Sequence, residues 1–116
     1  MLLDAKIEPL PDRAAVITLA GSMTMGTSLK IVDGQVQQAL SSGVIHLVLD
    51  LAGVDYCDSA GLGLIVHTYG HMKERGGSLR LCGVQSRLRS MLHMTNTDTF
   101  LTIDADRSAS LAELAG

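Results

Sequence analysis

The sequence predicts an α/β fold: a mixed sheet of about five strands, with an N-terminal antiparallel hairpin and then alternating helices and parallel strands, and about four helices in all. Three observations predict it. Two strand-like segments near the start are separated by three turn residues. A continuous aliphatic run follows in the middle of the chain. Stretches of helical period then alternate with short apolar runs up to the C-terminus, and crossovers of that length demand parallel pairing with right-handed connections.

In order, Leu3–Leu10 reads as a first strand, and Pro11-Asp12-Arg13 as the turn into a second, Ala14–Ala20. Gly21 to Thr27, with its glycines and hydroxyls, reads as a loop. Leu29, Val32, Val36 and Leu40 recur at helical spacing, and Ser42-Gly43 stops that helix. Val44–Leu51 is almost wholly aliphatic, as expected of a strand buried on both faces. A second helix is predicted from about Ala60 to Arg75, with Leu62, Ile65, Tyr69 and Met72 on its inner stripe. Gly76-Gly77 ends it, and Ser78–Cys82 forms the next strand. A third helix starts near Gln85, with Leu88, Met91, Leu92 and Thr95 inward; Phe100–Ile103 is a short strand and Ser108–Leu114 a closing helix.

Composition narrows the function classes. With 116 residues the chain holds one core, so one domain spanning 1–116 is expected. At 47% apolar it should fold without metals or disulfides, and at 3% aromatic that core is aliphatic. A formal charge of −3 gives no footprint for direct nucleic-acid binding. Cys57 and Cys82 lie in apolar runs and suggest a reducing compartment. No signal peptide and no apolar run of membrane-spanning length is evident, so a cytoplasmic protein is expected, a monomer or weak homodimer. No Lys or Arg falls between Lys30 and Lys73, whereas Asp33, Asp50, Asp55 and Asp58 do; from Lys73 to Arg89 the balance reverses. On its own such an asymmetry is solvated surface.

The candidate site lies between the central strand and the second helix, in Asp55-Tyr56-Cys57-Asp58-Ser59-Ala60-Gly61-Leu62-Gly63. Open α/β sheets place function where strand ends meet helix N-termini. Asp58 or Ser59 can also serve simply as the N-cap. Two features favour more than a cap. Alanine in place of Gly61 and Gly63 would improve a plain helix by roughly 1 kcal/mol each, so the glycines are expected to bare the surface for a partner's backbone. A hydroxyl beside the unpaired amides of a helix start is also a favourable place for a phosphate. Phosphorylation adds about −1.5 to −2 charges. The helix dipole favours them by about 0.3–1 kcal/mol, with Asp55 and Asp58 opposed. A partner that had to desolvate that charge would lose several kcal/mol, at roughly tenfold in affinity per 1.4 kcal/mol.

From Leu47 to Gly63, and on through Tyr69 and Lys73–Gly83, the sequence resembles the anti-sigma factor antagonists of the STAS-domain family. The order of elements agrees over nearly the whole chain. The resemblance implies that Ser59 is phosphorylated by an anti-sigma factor that is also a serine kinase, that the unphosphorylated form captures this kinase, and that a serine phosphatase resets the cycle. It also implies helices mainly over one face of the sheet and no catalysis by the chain itself. Asp55, Asp58, Ala60, Gly61, Leu62 and Gly63 would lie on the docking surface. Thr24, in Gly21-Ser22-Met23-Thr24, stands where family members often carry an aspartate near the partner. That departure admits a second reading: a constitutive STAS subunit of a membrane transport complex, docking on an ATPase without a phosphorylation cycle.

Other chemistry is weaker. His67 and His71 have a zinc-binding spacing, but no third ligand is near in sequence, so they read as solvated helix histidines and no metal is expected. Ser59 lacks the flanks of a hydrolase nucleophile elbow, and Gly61-Leu62-Gly63 is no dinucleotide fingerprint, so no cofactor is implied. Met23 and Met25 read as loop residues that fill core or are disordered, in preference to exposed contacts. Arg87 and Arg89 read as a solvated helix face.

Overall fold

The structure, a computed structural model, describes residues 2–115. Its sheet has the order β1-β2-β3-β4-β5. β1 (Leu3–Leu10) pairs antiparallel with β2 (Ala14–Met23), Leu3 opposite Gly21 and Leu10 opposite Ala14. The reversal places Asp12 and Arg13 in the left-handed region, at φ 61° and 63°. β3 (His46–Cys57), β4 (Ser78–Cys82) and β5 (Thr102–Asp104) then join in parallel.

Each parallel strand is added on the same side of the last, so right-handed crossovers send the intervening helices to one face. These are α1 (Thr27–Ser41), α2 (Ser59–Glu74) and α3 (Ser86–Met94). Leu29, Val32, Val36 and Leu40 of α1, Leu64, Ile65 and Met72 of α2, and Leu88 and Leu92 of α3 share one core with the alternate strand residues Ile17, Leu19, Leu47, Leu49, Leu51, Leu79 and Leu81. Full burial of a side chain of this size contributes roughly 1.5–3 kcal/mol. The other face is covered by α4 (Arg107–Ala115), whose Leu111 and Leu114 pack with Leu10 over Val16, Val48 and Cys82. Burial on both faces explains the unbroken aliphatic run of β3.

Charged side chains fasten α4. Arg107 reaches from its first turn to Asp50 on β3 (Nε to Oδ2, 3.0 Å), Glu8 on β1 (3.4 Å) and the Thr18 hydroxyl on β2. Arg80 on β4 makes a two-pronged pair with Asp104 on β5, at 2.7 and 2.9 Å, and the Ser110 hydroxyl donates to the same carboxylate at 2.6 Å.

Several boundaries differ from the sequence reading. β2 continues through Gly21 to Met23, and β3 through Ala52 to Cys57, where a loop was expected. Their pairing is kept through register shifts at Thr18/Ala20 and Gly21/Ser22. Met23 is therefore fully buried and fills core as expected, but from β2 and not from a loop, whereas Met25 is exposed. The inner stripe of α2 is Gly61, Leu64, Ile65, Thr68 and Met72, with Leu62 and Tyr69 only half-buried at its margin. Thr95 caps the end of α3 and is exposed; its hydroxyl donates to the Met91 carbonyl at 2.8 Å. A short 3-10 turn, Thr97–Thr99, was not anticipated. Phe100 precedes β5 and packs on Tyr69, ring centroids 4.9 Å apart.

Candidate functional site

β2 and β3 end side by side, Met23 opposite Cys57. The next residue, Asp58, is tied to this edge by its amide, which donates to the Met23 carbonyl at 3.1 Å. Asp58 is the N-cap of α2, in extended conformation, and its carboxylate works in two directions. Oδ1 accepts from the Gly61 amide at 3.0 Å, satisfying a donor of the first helical turn. Oδ2 accepts from the Met25 amide at 2.9 Å, which holds the loop between β2 and α1 against the start of α2. The Met25 amide, then the Gly61 amide, keep the Asp58 carboxyl below the ordinary carboxylate range.

With Asp58 as the cap, Ser59 is released from that duty. It is the first residue of α2, it is exposed, and among the described residues its hydroxyl has no hydrogen-bond partner. No histidine is placed to take its proton. His67 lies on the same i, i+4 stripe, but eight residues of helix put it about 12 Å along the axis. The hydroxyl is thus open to solvent at the start of α2.

The two glycines have different reasons. Gly61 is buried: a Cβ there would stand 2.2 Å from the Met23 carbonyl oxygen and 2.7 Å from the Cys57 sulfur. It is glycine so that α2 can seat on the ends of β2 and β3, which corrects the expectation that it bares the surface. Gly63 is exposed with open space around it, and it does strip the helix as expected. Together with Ala60, Leu64 and His67 it lines a shallow groove against Leu29, Lys30 and Asp33 of α1. Leu62 is half-buried and packs on the core.

Asp55 is exposed at the end of β3 and accepts from the Ser22 hydroxyl at 3.1 Å. Thr24 is half-buried beside Met25 in the loop that Asp58 holds. Two apolar side chains stand out on this edge: Met25, 79% exposed, and Tyr56, 47% exposed. Tyr56 carries no signal in the sequence: it is exposed beside exposed Asp55, between buried Val54 and Cys57, where the strand end departs from alternation. The Arg87 guanidinium, at the start of α3, lies 5.9 Å from the Tyr56 ring centroid, so Arg87 is more than a solvated helix residue. Cys57 lies beneath the site, where burial and then the Asp58 charge push its thiol up to about 11. It stays protonated and inert at neutral pH.

A mixed sheet with three helices on one face thus carries a bare serine beside a capping aspartate where the central strands end. The chain belongs to the STAS domain family: residues 8–103 match the family described as Mlab, STAS domain. It is 28% identical over 100 residues to the anti-sigma F factor antagonist of Paenibacillus polymyxa, a match covering 85% of each chain. Among solved structures, an anti-sigma factor antagonist from Mycobacterium paratuberculosis has the same fold, with a TM-score of 0.86 at 18% identity over 98% of this chain and 95% of that one. So has the anti-sigma factor antagonist SpoIIAA in its unphosphorylated form, with a TM-score of 0.79 at 16% identity over 97% and 99% of the two chains. No helix among the described residues is long and apolar enough to cross a membrane.

Proposed function

We propose that this chain is an anti-sigma factor antagonist that captures an anti-sigma factor serine kinase while Ser59 is unphosphorylated. Transfer of the γ-phosphoryl group of ATP to the Ser59 oxygen by that kinase switches the capture off, and a serine phosphatase hydrolyses the ester to restore it. The observation that carries this reading is the division of labour between Asp58 and Ser59. The aspartate satisfies the helix start, and the serine hydroxyl is left exposed and unpaired.

The phosphate acts at the interface and not on the fold. It arrives on an exposed side chain next to the amides of the first turn, which tolerate negative charge. A partner seated over Met25, Tyr56, Asp58 and Gly63 would have to dehydrate it, and Asp55 and Asp58 already make that surface acidic. In this reading the chain works in the cytoplasm, without a cofactor and without catalysis of its own. Incubation with the cognate anti-sigma kinase and ATP, followed by intact-mass and fragment mass spectrometry, tests it. One phosphate on Ser59 is expected, and Ser59→Ala should accept none. Phosphate elsewhere, with Ser59→Ala modified as well as wild type, would overturn it.

The neutral Thr24 beside the Asp58 loop favours a second reading, a constitutive subunit of a membrane transport complex docked on an ATPase. There Ser59→Asp and Ser59→Ala would bind the partner alike; in a phosphoswitch only Ser59→Ala binds.

A further inference from the structure

His67 and His71 stand one turn apart on α2, and the structure brings their rings into contact. The Nε2 atoms are 3.1 Å apart and the ring centroids 4.5 Å, with the planes at 75°. They are therefore not separately solvated histidines. At this separation one ring donates its Nε2 proton to the lone pair of the other.

We propose that this pair is a binding site for a divalent first-row ion that favours imidazole (Zn²⁺, Ni²⁺ or Cu²⁺), with water in the remaining positions. Two nitrogens each about 2.0–2.1 Å from a shared ion stand roughly 2.9 Å apart at a right angle and roughly 3.4 Å apart at the tetrahedral angle. The observed 3.1 Å falls between, so the spacing suits a shared ion once each ring turns its Nε2 lone pair off the line joining the two nitrogens. The displaced proton moves through solvent to Nδ1 of the same ring, leaving both imidazoles neutral and both Nε2 lone pairs on the metal.

Three further features suit a cation here. The scaffold is rigid, because α2 is anchored between the two histidines by the fully buried Thr68 and just beyond them by Met72. His71 lies in the last turn of α2, where the unpaired carbonyls favour positive charge. One turn before His67 the helix is bare at Gly63, which leaves room for bound water. Lys30 and Asp33, across the groove from His67, offset each other in charge. Among the described residues no group of three or more histidines, cysteines and carboxylates forms a metal cluster, so the ion would be exchangeable rather than structural.

Titration of the full chain with NiCl₂, followed by calorimetry and by broadening of backbone amide NMR signals, tests the site. One Ni²⁺ per chain is expected, with broadening centred on residues 67–71. His67→Gln and His71→Gln should each lose roughly tenfold or more in affinity, since even indirect partners of a metal ligand act on that scale. His93→Gln, whose ring faces Asp98 at 3.1 Å elsewhere on the surface, should bind as wild type does. Unchanged Ni²⁺ binding in the His67→Gln, His71→Gln double variant, or no saturable binding by wild type, would overturn the proposal. Both readouts are independent of Ser59 and of any kinase.

Discussion

Under α4, positive and negative side chains meet in closed sets: Arg107 with Asp50 and Glu8, Arg80 with Asp104. At the ends of β2 and β3 the acids are held differently. Asp58 is gripped by two backbone amides and Asp55 by a serine hydroxyl, and among the described residues neither forms an ion pair. The α4 sets join strands and helix that lie far apart in sequence, and substitution there should cost folding. The strand-end set shapes an acidic surface around an idle hydroxyl, and substitution there should cost binding, with Asp58 alone also giving up the cap of α2. The contrast separates charge that holds a fold from charge that is displayed.

The largest expected effect breaks the displayed side alone. Ser59→Glu places permanent charge at the first position of α2. Affinity for the anti-sigma kinase should fall by about 10²–10³-fold in a calorimetric or surface-binding assay, the scale of several kcal/mol for a desolvated charge. The unfolding free energy should stay within about 0.5 kcal/mol of wild type. An unfolding loss as large as the binding loss would mean that Ser59 belongs to the fold.

The glycines sharpen the same division. Gly61→Ala drives a Cβ against the Met23 carbonyl and the Cys57 sulfur, and should destabilise by about 3 kcal/mol in urea unfolding, the upper part of the overpacking range. Gly63→Ala meets nothing in the folded chain and should gain up to about 1 kcal/mol of helix stability. Its methyl group would nevertheless stand on the proposed docking surface, so kinase binding should weaken while stability rises.

The sequence was a sound guide wherever one physical rule acted alone. The period of Leu29, Val32, Val36 and Leu40 located α1, and the double-sided burial of β3 was visible in its aliphatic run. The motif around Asp58 and Ser59 points to the candidate site, although spacing does not say which of the two caps the helix; the 3.0 Å bond from the Gly61 amide to Asp58 does. It misled where rules competed. Gly21 looks like a loop residue, but it lies in β2 and is glycine because φ is +113° and a Cβ would stand 2.0 Å from the Leu2 carbonyl oxygen. The register shifts between β2 and β3 break the two-residue alternation, so Val54 and Cys57 are buried at a spacing that no strand pattern predicts. The burial of Gly61 is not legible in the sequence because it depends on Met23, 38 residues away in the chain at the end of β2, as well as on Cys57. The contact of His67 with His71 depends on rotamers, which spacing does not fix.

On the paired side, Arg80→Ala leaves the partly buried Asp104 carboxylate with only the Ser110 hydroxyl. A loss of about 2 kcal/mol is expected, with kinase binding by the remaining folded protein unchanged.

Acid titration gives the smallest effect and separates the two kinds of charge most directly. Asp104 is held below the usual carboxylate range chiefly by Arg80, and Asp58 chiefly by the Met25 amide. Both are depressed groups, so each contributes stability that is fully present above the unfolded-state value of about 3.9 and is lost as pH falls through the folded-state value. Wild type should therefore weaken as pH drops below about 4. Arg80→Ala should flatten that limb by removing the Asp104 share. Asp58→Asn should flatten it by the other share and free the Met25 loop, seen as faster amide exchange at Met25. Because one group sits under α4 and the other at the ends of β2 and β3, the two changes should add in the double variant. A marked departure from additivity would mean that the charge holding the fold and the charge shown to the partner are one coupled network.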